Sequence, residues 1–254
     1  DEVRKIAREE LGAGADWIKV YASGEGATSR ATDPWDVWMT VDEISAACEE
    51  AHNKGKKAAA HAINAESAMS CIEADIDSIE HGLLLNDHIL EEMKKHNVYY
   101  VPTVFTYYIY AEYLLGINAS KSENVFVANR LKNKELPLHR QNVKKAAEIG
   151  VKIASGTDIP APIEEGNITR ADAMANELNL LVKYGLAPMH ALRTATQIAA
   201  EMLGMQDKVG TLEKGKMADL AIVNGDPLNN MKALLPDNIW LVMKEGKIIR
   251  RGRP

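Results

Sequence analysis

Short apolar strand segments alternate with amphipathic helical segments along most of this chain, and that alternation narrows the possible folds more than any other feature. Asp16 to Ala22 (DWIKVYA) reads as a strand. Thr40 and Glu43 have the spacing of a capping box, opening a helix that runs to Asn53 with Gly55 beyond its end. Lys57 to Ala62 (KAAAHA), Asp77 to His81 (DSIEH) and Val98 to Val104 (VYYVPTV) read as further strands. Helical patterns follow them over Ala65 to Ala74, Asp87 to His96 and a long stretch ending in LHRQNVKKAAEIG. Val151 to Gly156 (VKIASG) is a fifth strand, before helices over Asp172 to Tyr184 and Pro188 to Leu203. Strands alternating with helices predict βα units around a parallel sheet. A (β/α)8 barrel and a doubly wound sheet both put chemistry at strand C-termini. The absence of GxGxxG after the first strand weighs against a dinucleotide-binding sheet.

After Gly204 the period changes. Val209 to Val223 and Ile239 to Ile249 alternate in period two, with Glu245-Gly246 as a hairpin turn, which predicts a small β module. The expected division is therefore 1–204 for the βα units and 205–254 for part of a β-sandwich. The chain is 254 residues long and 46% hydrophobic, enough for a sizeable core. No run approaches the ~18 apolar residues of a membrane span. Net charge is −6 with basic residues scattered among acids, so no nucleic-acid partner is expected. Cys48 and Cys71 both fall in helical patterns, which argues against a disulfide framework and for a reducing compartment. The first residues lack the apolar core of a secretory signal, and the expected location is cytoplasmic.

The chemistry-bearing residues fall at strand ends: Lys19, His61, His81 and Asp158. A lone histidine after an apolar strand is more often a hydrogen-bonded core residue. Two in consecutive βα units point toward one mouth, because neighbouring strands lie ~5 Å apart. Neutral imidazole suits zinc and its neighbours. Asp158, in SGTD, is either a helix N-cap or a group that binds metal and takes a proton from water. A protonated Lys19 cannot ligate a cation, and belongs to such a site only as an ion-pair partner or as a carbamate.

The segments WIKVYASG, AAHAIN, DSIEHG, ASGTD and GTLEKGKMADLAIVNGDPL, in this order, resemble the amidohydrolase superfamily, in its Xaa-Pro dipeptidase (prolidase-like) and imidazolonepropionase-like branch. The resemblance implies a metal-dependent TIM-type (β/α)8 barrel, of which this chain carries the last five βα units. It also implies two divalent metal ions, zinc by expectation, bridged by a carbamylated Lys19. His61 and His81 would sit on one metal, and Asp158 on the other as proton carrier. The resemblance further places Tyr107 against substrate, although a packed aromatic in a Tyr-rich stretch is the competing account. The family's His-x-His is absent, since all seven histidines are isolated. A missing N-terminal segment or companion chain carrying it is therefore expected, and an incomplete barrel is expected to associate into oligomers.

The implied reaction is hydrolysis of a C–N (amide or peptide) bond in a small-molecule or dipeptide substrate, or an N-acyl amino acid, by metal-activated water. Asp158 would accept the water proton and pass it to the leaving amine. Two alternatives stay open: a non-catalytic partial-barrel fragment or partner subunit, and a lactone or phosphotriester hydrolase using the same metals. The loop with Arg30, Trp35 and Trp38 is either a substrate-mouth lining or a surface loop. His139 and Arg140 are expected on a solvent-facing helix surface, and no metal role is expected for His52, His88, His96 or His190.

Overall fold

Four strands form a parallel sheet in chain order: β1 (Trp17–Tyr21), β2 (Lys57–Asn64), β3 (Ser78–Leu84) and β4 (Tyr99–Val101). The computed structural model describes residues 1–25, 33–116, 122–159 and 170–252. They divide into two compact units, Asp1–Pro102 with Tyr107–Ile153, and Thr103–Thr106 with Ala154–Pro254. Among the described residues no helix is long and apolar enough to cross a membrane.

The first unit holds the parallel sheet. Helix α1 (Glu2–Gly12) precedes β1, and the crossovers are α2 (Val41–His52), α3 (Ala65–Glu73) and α4 (Asp87–Lys95). The capping box that opens α2 is formed: Glu43 N–H donates to the Thr40 hydroxyl oxygen, and Thr40 N–H donates to the Glu43 carboxylate at 2.9 Å. Asn64 and Asn86 cap α3 and α4 in the same way. β2 is buried on both faces after its first residue, as a central parallel strand requires. Its alanines leave room for bulkier Ile63, Ile79, Leu83, Leu90 and Met93 in the core. Tyr107, on α5 (Val104–Gly116), packs with Ile63, Leu83, Leu131 and Leu136, the last two from the π-turn and helix that follow. α6 (Ser122–Arg130) reaches α7 (Leu136–Ile149) through that π-helical turn, Leu131–Glu135.

Several expected boundaries are corrected. The fourth strand stops at Val101, not Val104, because Pro102 has no N–H to donate and Val104 already enters α5. The fifth expected strand survives as one bridge, Ile153 to Tyr100, since the next amide, Ser155 N–H, donates to the Thr194 carbonyl instead of a ladder. In the second unit, α8 (Arg170–Lys183) leads to α9 (Pro188–Thr194) and α10 (Gln197–Met202). The helix expected over Pro188 to Leu203 is thus broken. Thr194 and Thr196 turn their hydroxyls back onto the Ala191 and Leu192 carbonyls and compete with the helical ladder.

The β module forms an antiparallel sheet of β5 (Leu220–Val223), β6 (Ile239–Lys244) and β7 (Lys247–Arg251). Glu245 and Gly246 have φ of +50° and +77°, the primed turn that matches hairpin twist. Residues 209–219 are turns rather than strand. Gly210 and Gly215, at φ +96° and +98°, take the chain out of the extended region.

Candidate functional site

The strand register places Tyr21, His61 and Glu80 in one row across β1, β2 and β3, with Lys19 and Ala59 in the row two residues earlier. Side chains in these rows share one face of the sheet. Tyr21 stacks on His61 with ring centroids 4.9 Å apart, and the Lys19 Nζ lies 5.5 Å from the Tyr21 centroid. Glu80 accepts a hydrogen bond from the Ser78 hydroxyl at 2.7 Å. Strict alternation would send His81 to the opposite face from Glu80. Its backbone is instead left-handed, at φ +72°, and its ring meets His61 edge to face at 4.6 Å between centroids.

Both histidines are buried, and burial holds them in the neutral form. The His61 pKa falls to about 4, chiefly by desolvation, with the Lys19 charge adding to the fall and the Gly24 carbonyl, 3.5 Å from Nε2, opposing it. His81 is pushed well below the ordinary range by burial first, then by His61 and Lys19. Neutral imidazoles keep a lone pair for a cation at neutral pH, so this pair fits a divalent metal. Among the described residues of this unit, no third His, Cys, Asp or Glu joins them in a metal-binding cluster. Two nitrogen donors make half of a usual four-ligand set.

Tyr107 is buried, and its ring stands edge to face with His81 at 5.7 Å. His139 corrects the expectation of a solvent-facing residue. It is fully buried, with its ring 6.2 Å from Tyr107 and 6.5 Å from Tyr100. Burial lowers its pKa to about 3, opposed by a hydrogen bond to the His81 backbone. Sequence reasoning missed it because α7 is amphipathic with its charged residues on the other side, and Arg140 beside it is indeed exposed. The buried set Leu136, His139, Asn142, Val143 and Ala146, at helical spacing, was the available signal.

The first unit brings together Lys19, His61, His81 and Tyr107, and Asp158 belongs to the second unit. Asp158 is exposed and has φ +47°. Arg30 lies outside the described residues, and Trp35 and Trp38 are exposed.

A parallel α/β sheet with two buried histidines in contact on neighbouring strands fits a TIM-type barrel. The chain matches the amidohydrolase family over residues 1–249 and belongs to that family. Ochratoxinase of Aspergillus niger is 31% identical over 254 residues, covering 98% of this chain and 49% of that protein. Among solved structures, a Xaa-Pro dipeptidase with methionine bound in its active site superposes with a TM-score of 0.82 at 30% identity, covering 99% of this chain and 58% of that one. The A. niger ochratoxinase structure gives 0.83 at 27% identity, covering 98% and 54%. The chain thus spans about half the length of the relatives it matches.

Proposed function

We propose that this chain carries half of the active site of a metal-dependent hydrolase that cleaves a C–N bond, amide or peptide, in a small substrate such as a dipeptide or N-acyl amino acid. The observation that carries the reading is the pair of buried, neutral imidazoles of His61 and His81 in edge contact on adjacent parallel strands. Family membership and the likeness to a Xaa-Pro dipeptidase support the substrate class.

In this reading His61 and His81 hold one of two divalent ions, zinc by preference for imidazole. Lys19, if carbamylated, would add a carboxylate-like ligand to the site. Asp158 would be the ligand for a second ion and the group that takes a proton from water and gives one to the leaving amine. A bound metal supplies Lewis acidity, drawing the pKa of water from 15.7 toward ~7 and polarising the scissile carbonyl. Tyr107, beside His81, meets substrate at the mouth. The remaining ligands would come from a segment or companion chain carrying His-x-His, docked along β1, which among the described strands pairs with β2 alone, and the complete enzyme would be an oligomer. The two free, buried cysteines support a reducing, cytoplasmic location.

The test is zinc content and Xaa-Pro dipeptide hydrolysis of this chain complemented with a His-x-His segment, with and without His61→Ala and His81→Ala. Loss of both metal and turnover in the variants is expected. Unchanged metal and turnover would overturn the assignment and leave a non-catalytic module as the better account.

A further inference from the structure

Glu177 is a fully buried carboxylate in α8, the one placement of a charged side chain that costs most unless it is bonded. Its Oε1 accepts the Val104 N–H at 3.1 Å and its Oε2 accepts the Phe105 N–H at 2.7 Å. These amides open α5, where the first N–H groups of a helix lack intrahelical acceptors, and the two carboxyl oxygens of Glu177 supply them. A side chain more than seventy residues away therefore does what an N-cap residue normally does. Burial pushes its pKa up to about 8, while the same two N–H groups pull it back.

The first turn of α5 that Glu177 holds also carries Thr106, which is buried and donates its hydroxyl to the Thr157 carbonyl. That carbonyl lies in the peptide plane that ends on the nitrogen of Asp158. Holding that plane sets one of the two peptide planes whose angle is φ at Asp158, which sits at +47°, outside the range most non-glycine residues adopt. The segment is pinned again upstream, where Ser155 N–H donates to the Thr194 carbonyl at 3.0 Å and the two hydroxyls pair.

We infer that Glu177 and Thr106 are positioning residues for Asp158: the buried carboxylate locks the first turn of α5, and Thr106 passes that order to the peptide that sets the Asp158 backbone. The inference rests on the reading of Asp158 as ligand and proton carrier. Gln at 177 keeps one acceptor oxygen for two N–H donors. Val at 106 keeps shape but not the hydroxyl, and Ser at 106 keeps the hydroxyl.

The experiment compares Glu177→Gln, Thr106→Val and Thr106→Ser with the parent and with Asp158→Asn. Turnover of a Xaa-Pro dipeptide is measured in the complemented preparation, and amide exchange of residues 155–159 in the metal-free 254-residue chain. Glu177→Gln and Thr106→Val are expected to lower kcat by on the order of ten- to a hundred-fold with KM within roughly two-fold, and Thr106→Ser to restore it. Exchange at 155–159 should quicken in the first two variants and not in Thr106→Ser, while β2 stays as protected as in the parent. Should Glu177→Gln fail to fold, the Thr106 pair decides alone. Parental turnover in Asp158→Asn overturns the reading of Asp158 and the positioning with it. An inactive Asp158→Asn beside parental kcat and parental exchange in Thr106→Val overturns the positioning only.

Discussion

The Tyr100 hydroxyl donates to the carbonyl oxygen of Gly82 at 3.1 Å, which ties β4 to the residue that follows His81. Gly82 has φ +55°, and a Cβ there would lie 2.8 Å from Leu85 Cδ1 and 2.9 Å from Tyr100 Cε2. Gly82→Ala should therefore cost about 2–4 kcal/mol, from backbone strain and overpacking together. Urea denaturation of the chain checks this, and a cost below about 0.5 kcal/mol would show that the close approach is relieved easily.

His61→Ala and His81→Ala should each lower zinc stoichiometry and dipeptide hydrolysis in the same preparation, because each removes one of the two nitrogen donors that cluster among the described residues. Mass spectrometry of bound metal alongside turnover is the check. A variant that keeps full zinc and loses turnover would move that histidine from ligand to substrate contact.

Acid should destabilise the metal-free chain before its carboxylates titrate. His61 and His139 have folded pKa values of about 4 and about 3 against an ordinary 6.5, and His81 is lowered as well. Below pH 6.5 the unfolded chain takes up protons that the folded chain refuses. The contribution of these histidines is thus complete above that pH and falls as pH drops toward 4, by up to about 1.4 kcal/mol per pH unit for each such group, offset in part by Glu177, whose carboxyl burial raises to about 8 and which takes up a proton on folding. Denaturation midpoints between pH 7 and pH 4 measure the slope. Replacing His139 with Phe should flatten it by about one proton's worth.

The chain by itself should hydrolyse dipeptides poorly and recover when a His-x-His segment is supplied in cis or in trans. β1 pairs only with β2 among the described strands, which leaves an edge of five residues open, and α1 and β1 enclose a cavity of about 590 Å³ lined by Ile6, Ala7, Trp17, Val20 and Met39. Sedimentation with and without the segment, read beside zinc content, checks this. Full activity of the 254-residue chain as a lone monomer would falsify it.

The elements legible in the sequence are those with local causes. DWIKVYA, KAAAHA and DSIEH form strands where apolar runs predict them, and Thr40 with Glu43 opens α2 because both capping partners sit within one turn. What escaped reading has distant causes. The start of α5 inside the apolar run VYYVPTV depends on Glu177, which no local pattern connects to Val104. His61 and His81 meet as their consecutive βα units led one to expect, but the device that brings the rings together, a left-handed His81 that breaks period two, leaves no mark in the alternation. His139 was hidden by Arg140 and the lysines of its own helix, although its buried stripe keeps the 3.6-residue period.

The left-handed backbone at His81 and Asp158 has a consequence for how this chain would respond to selection for heat resistance. Each residue holds a conformation that glycine adopts with less strain, by on the order of 1 kcal/mol. Screens that reward thermal endurance alone should therefore enrich glycine at 81 and 158, and the survivors would be sturdier proteins stripped of an imidazole or a carboxylate. Robustness and chemistry pull these two positions in opposite directions, so the wild-type residues there mark what the fold gives up to keep reactive side chains in place.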